Sequence, residues 1–173
     1  MHNPLLGFLN RNENEAIKDI VAKVTCLLDK TDLFVANNPV GVETRVRDII
    51  QLLDIQKSND VLLLGMWGMG GIGKTTIAKA IYNKIGRNFE ARSFLANTRE
   101  VWEKNVGQVS LQQQLLFDIC KETTTKIQSI EAGKIILKDR LCGKRVLLVL
   151  DDVSALDQFN ALCGSRQWFG AGS

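Results

Sequence analysis

Residues 68 to 76 read Gly-Met-Gly-Gly-Ile-Gly-Lys-Thr-Thr. Gly68, Gly73, Lys74 and Thr75 stand at the fixed positions of the Walker A pattern G-x-x-x-x-G-K-[ST]. At average glycine usage a chance match in a chain of this length is expected about one time in a hundred or less. The chemistry follows from the residue types. Backbone N–H groups of Gly68, Met69, Gly70, Gly71, Ile72 and Gly73 wrap around a di- or triphosphate, where close approach and positive φ angles exclude a Cβ. Lys74 then reaches the β/γ-phosphates as a point charge and the Thr75 hydroxyl ligates Mg²⁺, with Thr76 following in the phosphate-binding run.

A second group lies downstream, where Val146-Leu147-Leu148-Val149-Leu150 runs into Asp151-Asp152. An apolar strand ending in an acidic pair, after a Walker A loop, reads as Walker B. Asp151 then holds Mg²⁺ through a water, and Asp152 orients or polarises an attacking water, so both are candidate catalytic residues. The plainer alternative is that one of the two aspartates caps the next helix, and it stays open on sequence grounds.

These groups need a scaffold. Val61-Leu62-Leu63-Leu64 is a short apolar run of the kind a buried parallel strand shows, and it predicts a strand entering the glycine loop. After the loop Ile77, Ala78, Ala80, Ile81 and Ile85 fall at helical spacing, so a helix N-terminus lies beneath the phosphates. Arg92 to Ala96 reads as a further strand. Helices are expected from a Ser110 cap through Ile119, and through Ile130, Ile135, Ile136 and Leu141, the latter weakened by Gly133. Val146 to Leu150 is the strongest strand signal, and its carboxyl end is where ligands bind in open α/β sheets. Ser154 and Asp157 make a capping-box-like pair before a short helix through Leu156, Phe159 and Leu162.

Upstream, Ile17, Ile20, Val21, Val24, Leu27 and Leu28 form a helical stripe, so residues 13 to 29 are expected to be an amphipathic helix capped by Asn12 or Asn14. It serves either as a connector to a preceding domain or as a helix packed on the core. A turn-rich joint at residues 30 to 41 leads to another helix carrying Val46, Ile49, Ile50 and Leu53. The order predicts an α/β fold, a three-layer α/β/α P-loop NTPase with a mainly parallel sheet, preceded by an amphipathic linker helix.

Composition narrows the function classes. The chain has 173 residues, 45% hydrophobic, 24% charged, with net charge +3. That charge is mild and dispersed, which argues against a nucleic-acid surface. No stretch approaches the ~18 apolar residues of a membrane span, and no signal-peptide layout opens the chain. Cys26, Cys120, Cys142 and Cys163 lie far apart without C-x-x-C spacing, as expected of reduced thiols in a cytoplasmic or nuclear protein. The sole histidine, His2, excludes a histidine-centred catalytic or zinc site.

The extended loop Gly65 to Thr76 resembles that of plant intracellular immune receptors with an NB-ARC domain. Phe94 to Val101, and Val146 to Val153 followed by Ser154, resemble the branch bearing a TIR domain; the branch with coiled-coil N-termini usually places tryptophan at that last position. Pro39 to Arg45 is similar to the segment that opens the domain and lies against adenine. Trp168 to Ser173 resembles the start of the following block, with Ala171 where proline is common. The resemblance spans about residues 12 to 173.

It implies residues 1–36 as a linker region after a TIR domain and 37–173 as a C-terminally incomplete NB-ARC nucleotide-binding subdomain. It also implies a switch: ADP holds the resting receptor closed, ATP opens it for oligomerisation, and slow hydrolysis resets it. Val40 would contact the base, residues 68 to 76 the phosphates, and Thr75 with Asp151 the Mg²⁺. Expected partners are nucleotide and full-length receptors or a second copy. By the same resemblance a strand is expected after Ser173, between the Walker A and Walker B strands, and the γ-phosphate-sensing arginine with it. A truncated chain is therefore expected. Two rivals stand beside the switch: a binding-only module, and a conventional ATPase or kinase, the latter disfavoured because no acceptor site is recognisable.

Overall fold

Side chains along Val146–Leu150 alternate between two apolar environments, and this alternation organises the molecule. In the computed structural model, which describes Ile17, Ile20, Val21 and residues 32–53, 60–121 and 124–173, this segment is strand β2. It pairs in parallel with β1, Ala91–Leu95, in the register Ala91↔Val146 through Leu95↔Leu150. Val146, Leu148 and Leu150 meet one apolar cluster, whereas Leu147 and Val149 meet others. Helices therefore cover both faces, as a parallel pair requires.

The elements run α1 (Val42–Leu53), α2 (Lys74–Ile85), β1, α3 (Thr98–Trp102), α4 (Gly107–Cys120), α5 (Ile130–Leu141), β2 and α6 (Leu156–Leu162), with 3₁₀ turns at Gly86–Asn88 and Arg166–Trp168. α4, α5 and α6 pack on the first face through Leu111, Leu115, Leu116, Leu137, Leu141 and Leu162. Leu95, Leu115, Leu137, Leu141 and Leu162 are fully buried, each stabilising the fold by about 2 kcal/mol on area bookkeeping. On the other face Val46 of α1 meets Ile81 and Ile85 of α2, while Ala78 and Tyr82 of α2 meet Phe94 of β1.

The chain divides into two compact units, Met1–Thr31 and Asp32–Ser173. Of the first, Ile17, Ile20 and Val21 are helical and exposed, in keeping with the expected helix, whose remaining residues lie outside those described, as do His2 and Cys26. The second unit begins on a side-chain clamp. The Leu33 amide donates to Asn83 Oδ1 and Asn83 Nδ2 donates to the Leu33 carbonyl, both at 2.8 Å, tying residues 32–36 to α2.

Several local expectations need correction. Val61–Leu64 is not a strand: Leu62, Leu63 and Leu64 are exposed, and a backbone bond there runs from the Leu62 amide to the Ser173 carbonyl, 2.9 Å. Strand geometry needs a partner, and the described sheet consists of two strands hydrogen-bonded to each other, without this run. Helix α4 begins at Gly107 after a left-handed Val106, not at a Ser110 cap. Before α6, Gln158 rather than Asp157 closes the turn, its Oε1 accepting from the amides of Ser154 (2.8 Å) and Ala155 (3.3 Å).

Gly133 has a packing reason. A Cβ there would come within 2.0 Å of Gln112 Oε1. The buried Gln112 amide is held in place by donating to the carbonyls of Ile130 (3.1 Å) and Ala161 (2.9 Å). Helix propensity alone would make Gly133→Ala stabilising by about 1 kcal/mol; the overlap instead predicts destabilisation of about 1–3 kcal/mol, read by urea unfolding.

Burial pushes the Cys163 thiol up to about 12, from 9.0. The raised value means that the folded state favours the neutral thiol, so this contribution is complete below pH 9 and is lost as pH rises toward 12. At pH 8 iodoacetamide should modify exposed Cys142 and spare Cys163 until the chain unfolds, as read by peptide mass spectrometry.

Candidate phosphate-binding site

The glycine loop has the backbone its sequence demands. Gly68, Gly71 and Gly73 sit at φ +145°, +79° and +89°, conformations that a Cβ makes costly. A Cβ at Gly68 would also approach Ile72 Cδ1 to 2.6 Å. Helix α2 starts directly after Gly73, and its first intrahelical bond, Ile77 amide to Gly73 carbonyl, is 3.0 Å. The amides of Lys74, Thr75 and Thr76 therefore belong to a helix N-terminus twelve residues long in all, with its partial positive charge toward the loop.

Lys74 folds back over the loop. Its Nζ donates to the carbonyls of Gly68 and Met69, each at 2.8 Å. Both partners are neutral carbonyls, so these contacts orient the ammonium without cancelling its charge. Met69, Gly70, Gly71 and Ile72 are exposed, with Met69 at 80%.

Thr75 joins this loop to β2. Its hydroxyl donates to Asp151 Oδ1 at 2.8 Å, across 76 residues of chain. The two sequence motifs thus meet at one point. Backbone bonds hold the acidic side of that contact: the Asp151 amide donates to the Leu95 carbonyl, and the Thr98 amide donates to the Asp151 carbonyl, both 2.9 Å. Thr98, fully buried, also donates its hydroxyl to the Leu95 carbonyl at 3.2 Å.

Asp152 is placed differently. It adopts φ +57°, a left-handed conformation that aspartate tolerates better than most residues. Its carbonyl accepts from the Arg99 amide at 3.1 Å, and its carboxylate lies 3.1 Å from the Arg99 guanidinium. The neighbouring aspartates therefore face different partners, Asp151 the loop and Asp152 helix α3. The capping alternative is not what these contacts display, since Gln158 does that work. Val40 is 95% exposed, so the structure leaves it free of packing rather than built into a base pocket.

Arg99 and Thr98 were not among the sequence-derived site residues. Their signal was the run Ala96-Asn97-Thr98-Arg99: a turn after a strand, with left-handed Asn97 starting a helix beside the sheet's carboxyl end.

The donors present fit a hard divalent cation. Thr75 and Asp151 offer a hydroxyl and a carboxylate oxygen that already sit 2.8 Å apart. Mg²⁺ takes one or two such protein oxygens and completes its shell with phosphate oxygens and water. Among the described residues no cluster of three or more His, Cys, Asp or Glu is arranged as an all-protein metal cage.

The NB-ARC domain family model matches residues 42–168. The chain belongs to the NB-ARC family. As an NB-ARC chain it carries a nucleotide-binding domain of P-loop NTPase type, and the resemblance drawn from its sequence blocks is borne out. It is 43% identical over 162 residues to "Disease resistance protein RUN1" of Vitis rotundifolia, covering 93% of this chain and 12% of that protein. It is 38% identical over 173 residues to "TMV resistance protein N" of Nicotiana glutinosa, covering 95% and 15% respectively. "Disease resistance protein TAO1" of Arabidopsis thaliana is 33% identical over 179 residues, covering 98% and 14%. The chain thus spans 12–15% of the length of these relatives. No helix among the described residues is long and apolar enough to cross a membrane.

The Thr75–Asp151 contact gives a direct test of metal binding. Asp151→Asn keeps an acceptor for the Thr75 hydroxyl but removes the charge a cation needs. ADP affinity of that variant in magnesium should fall to the value that wild type shows in EDTA, with the melting temperature nearly unchanged. Titration calorimetry in the two buffers reads it.

Proposed function

We propose that this NB-ARC chain is the ADP/ATP-binding switch module of a plant intracellular immune receptor of the TIR-bearing type, acting in defence signalling with Mg²⁺ as cofactor. The observation that carries the reading is the 2.8 Å hydrogen bond between Thr75 and Asp151, which brings the two halves of a nucleotide site together. Residues 68 to 76 bind the phosphates, with Gly68, Gly70, Gly71 and Gly73 letting amides point inward and Lys74 supplying charge. Thr75 and Asp151 hold the cation, which supplies charge neutralisation for the phosphates. Val40, at the segment that opens the domain, contacts the base once nucleotide is seated. In the full sheet, helices on both faces give the three-layer α/β/α arrangement, with residues 37–173 as the nucleotide-binding part and 1–36 as linker.

Exchange of ADP for ATP is the signalling event, and hydrolysis, with Asp152 as the water-polarising group, is slow. The partners are full-length receptors or further copies assembling on activation, in the cytoplasm or nucleus. The relatives' names speak of disease resistance, and that role is carried to this chain on its family membership and its site.

A binding-only module is the second reading, and one observation favours it. Asp152 is engaged by Arg99 rather than by the Thr75–Asp151 pair. Binding of nucleotide without phosphate release from ATP over hours would select it.

Lys74→Ala tests the common core of both readings. Loss of a charge-assisted phosphate contact of about 1.5–3 kcal/mol should weaken ADP binding by roughly tenfold or more. Far-UV circular dichroism should stay the same, because Lys74 Nζ meets carbonyls of an exposed loop. Unaltered ADP affinity would remove Lys74 from the site.

A further inference from the structure

We propose that Arg99 is a positioning residue that parks Asp152 away from the nucleotide and so holds hydrolysis down. The inference rests on the reading of residues 68 to 76 as a nucleotide cradle, and goes beyond it by assigning a residue that neither Walker motif contains.

The grip is double. The Arg99 amide donates to the Asp152 carbonyl, and the Arg99 guanidinium meets the Asp152 carboxylate, both at 3.1 Å. The first contact fixes the backbone of Asp152, and its φ of +57° is compatible with that bond. The second occupies the side chain. Preceding residues repeat the backbone half of the arrangement: Thr98 donates to the Asp151 carbonyl at 2.9 Å. Thr98 uses its hydroxyl on Leu95 instead, which leaves the Asp151 carboxylate to Thr75. One short helix thus anchors both aspartates by main chain but captures only the second by charge.

The consequence lies in the hydrolytic step. There a water oxygen bonds to the γ-phosphorus, the bond from phosphorus to the β–γ bridging oxygen breaks, and ADP leaves with that electron pair. Asp152 accepts the proton that the water gives up. The Asp152 carboxylate is turned to the Arg99 guanidinium on helix α3, so the pair must open before Asp152 serves. Arg99 and Asp152 side chains are 55% and 44% exposed, which makes the pair weak enough to open. Arg99 therefore slows the step without abolishing it.

The test is phosphate release from ATP by the purified chain in magnesium, with ADP affinity measured alongside. Arg99→Gln should raise kcat about fivefold, the change that releasing one half-exposed ion pair provides, with KM for ATP and ADP affinity unchanged. Arg99→Glu, which repels Asp152, should give a gain at least as large and serves if the first variant melts early. Asp152→Asn and Arg99→Gln/Asp152→Asn should both stay at or below the wild-type rate. A rate for both Arg99 variants equal to or below wild type overturns the proposal, as does a gain that survives in the double variant. An arginine acting only in folding would shift the melt and affinity without this split in kcat. Wild-type protein that binds no ADP would sink the nucleotide reading itself, a different outcome from intact binding with no gain.

Discussion

Parallel pairing of β1 with β2 does more than close a small sheet, because its hydrogen-bond ladder continues past the strand ends into the site. Leu95 and Leu150 are the last partners in register. Beyond them Asp151 donates to Leu95, then Thr98 and Arg99 donate to Asp151 and Asp152 in turn. The Asp151 amide thus finds the last residue of β1, and the carbonyls of both aspartates find amides of the segment that follows β1. The acidic pair is consequently held by the sheet itself rather than by a free loop. A shift of the ladder by one residue would exchange the faces of β2, burying Asp151 where Leu150 now packs.

The phosphate side of the site is anchored separately. Helix α2 carries Lys74 and Thr75 at its start and buries Ala78, Ile81, Tyr82 and Ile85 against α1 and β1. Near its far end Asn83 fastens the Leu33 backbone through two hydrogen bonds. One helix thus joins the entry to the unit, the apolar layer and the glycine loop. Thr75 to Asp151 is the polar contact that links this helix to the acidic end of the sheet.

How much of this was legible in sequence depended on what each feature needs from elsewhere. The glycine loop was legible because its conformation is set locally, by residues that alone tolerate positive φ, and its lysine and threonine follow at fixed offsets. β1, β2 and most helices were legible from apolar run length and period. Val61–Leu64 was misread because a strand exists only by virtue of its neighbour, and apolarity says nothing of whether one is present. Ser110 looked like a cap, yet α4 starts earlier because Val106 adopts a left-handed turn that no composition rule assigns to valine. Arg99 was only half legible for a related reason, because the turn and helix start around it carry a signal but its partner does not. A basic residue at a helix start reads as a solvated side chain until the sheet places Asp152 opposite it.

The division of labour between the aspartates separates two properties that a single motif name conflates. In the proposed function, binding a phosphate with its cation rests on Lys74, Thr75 and Asp151, which share contacts or a common loop. Splitting that phosphate needs in addition a carboxylate free to take a proton, and Asp152 is engaged elsewhere. On the proposed reading, this arrangement favours retention of nucleotide over its turnover. A switch has the same requirement, because its state must outlast the binding event that set it; an enzyme selected for flux would leave its acceptor unpaired. Geometry around two adjacent residues thus distinguishes a timer from a catalyst, on a loop that is common to both.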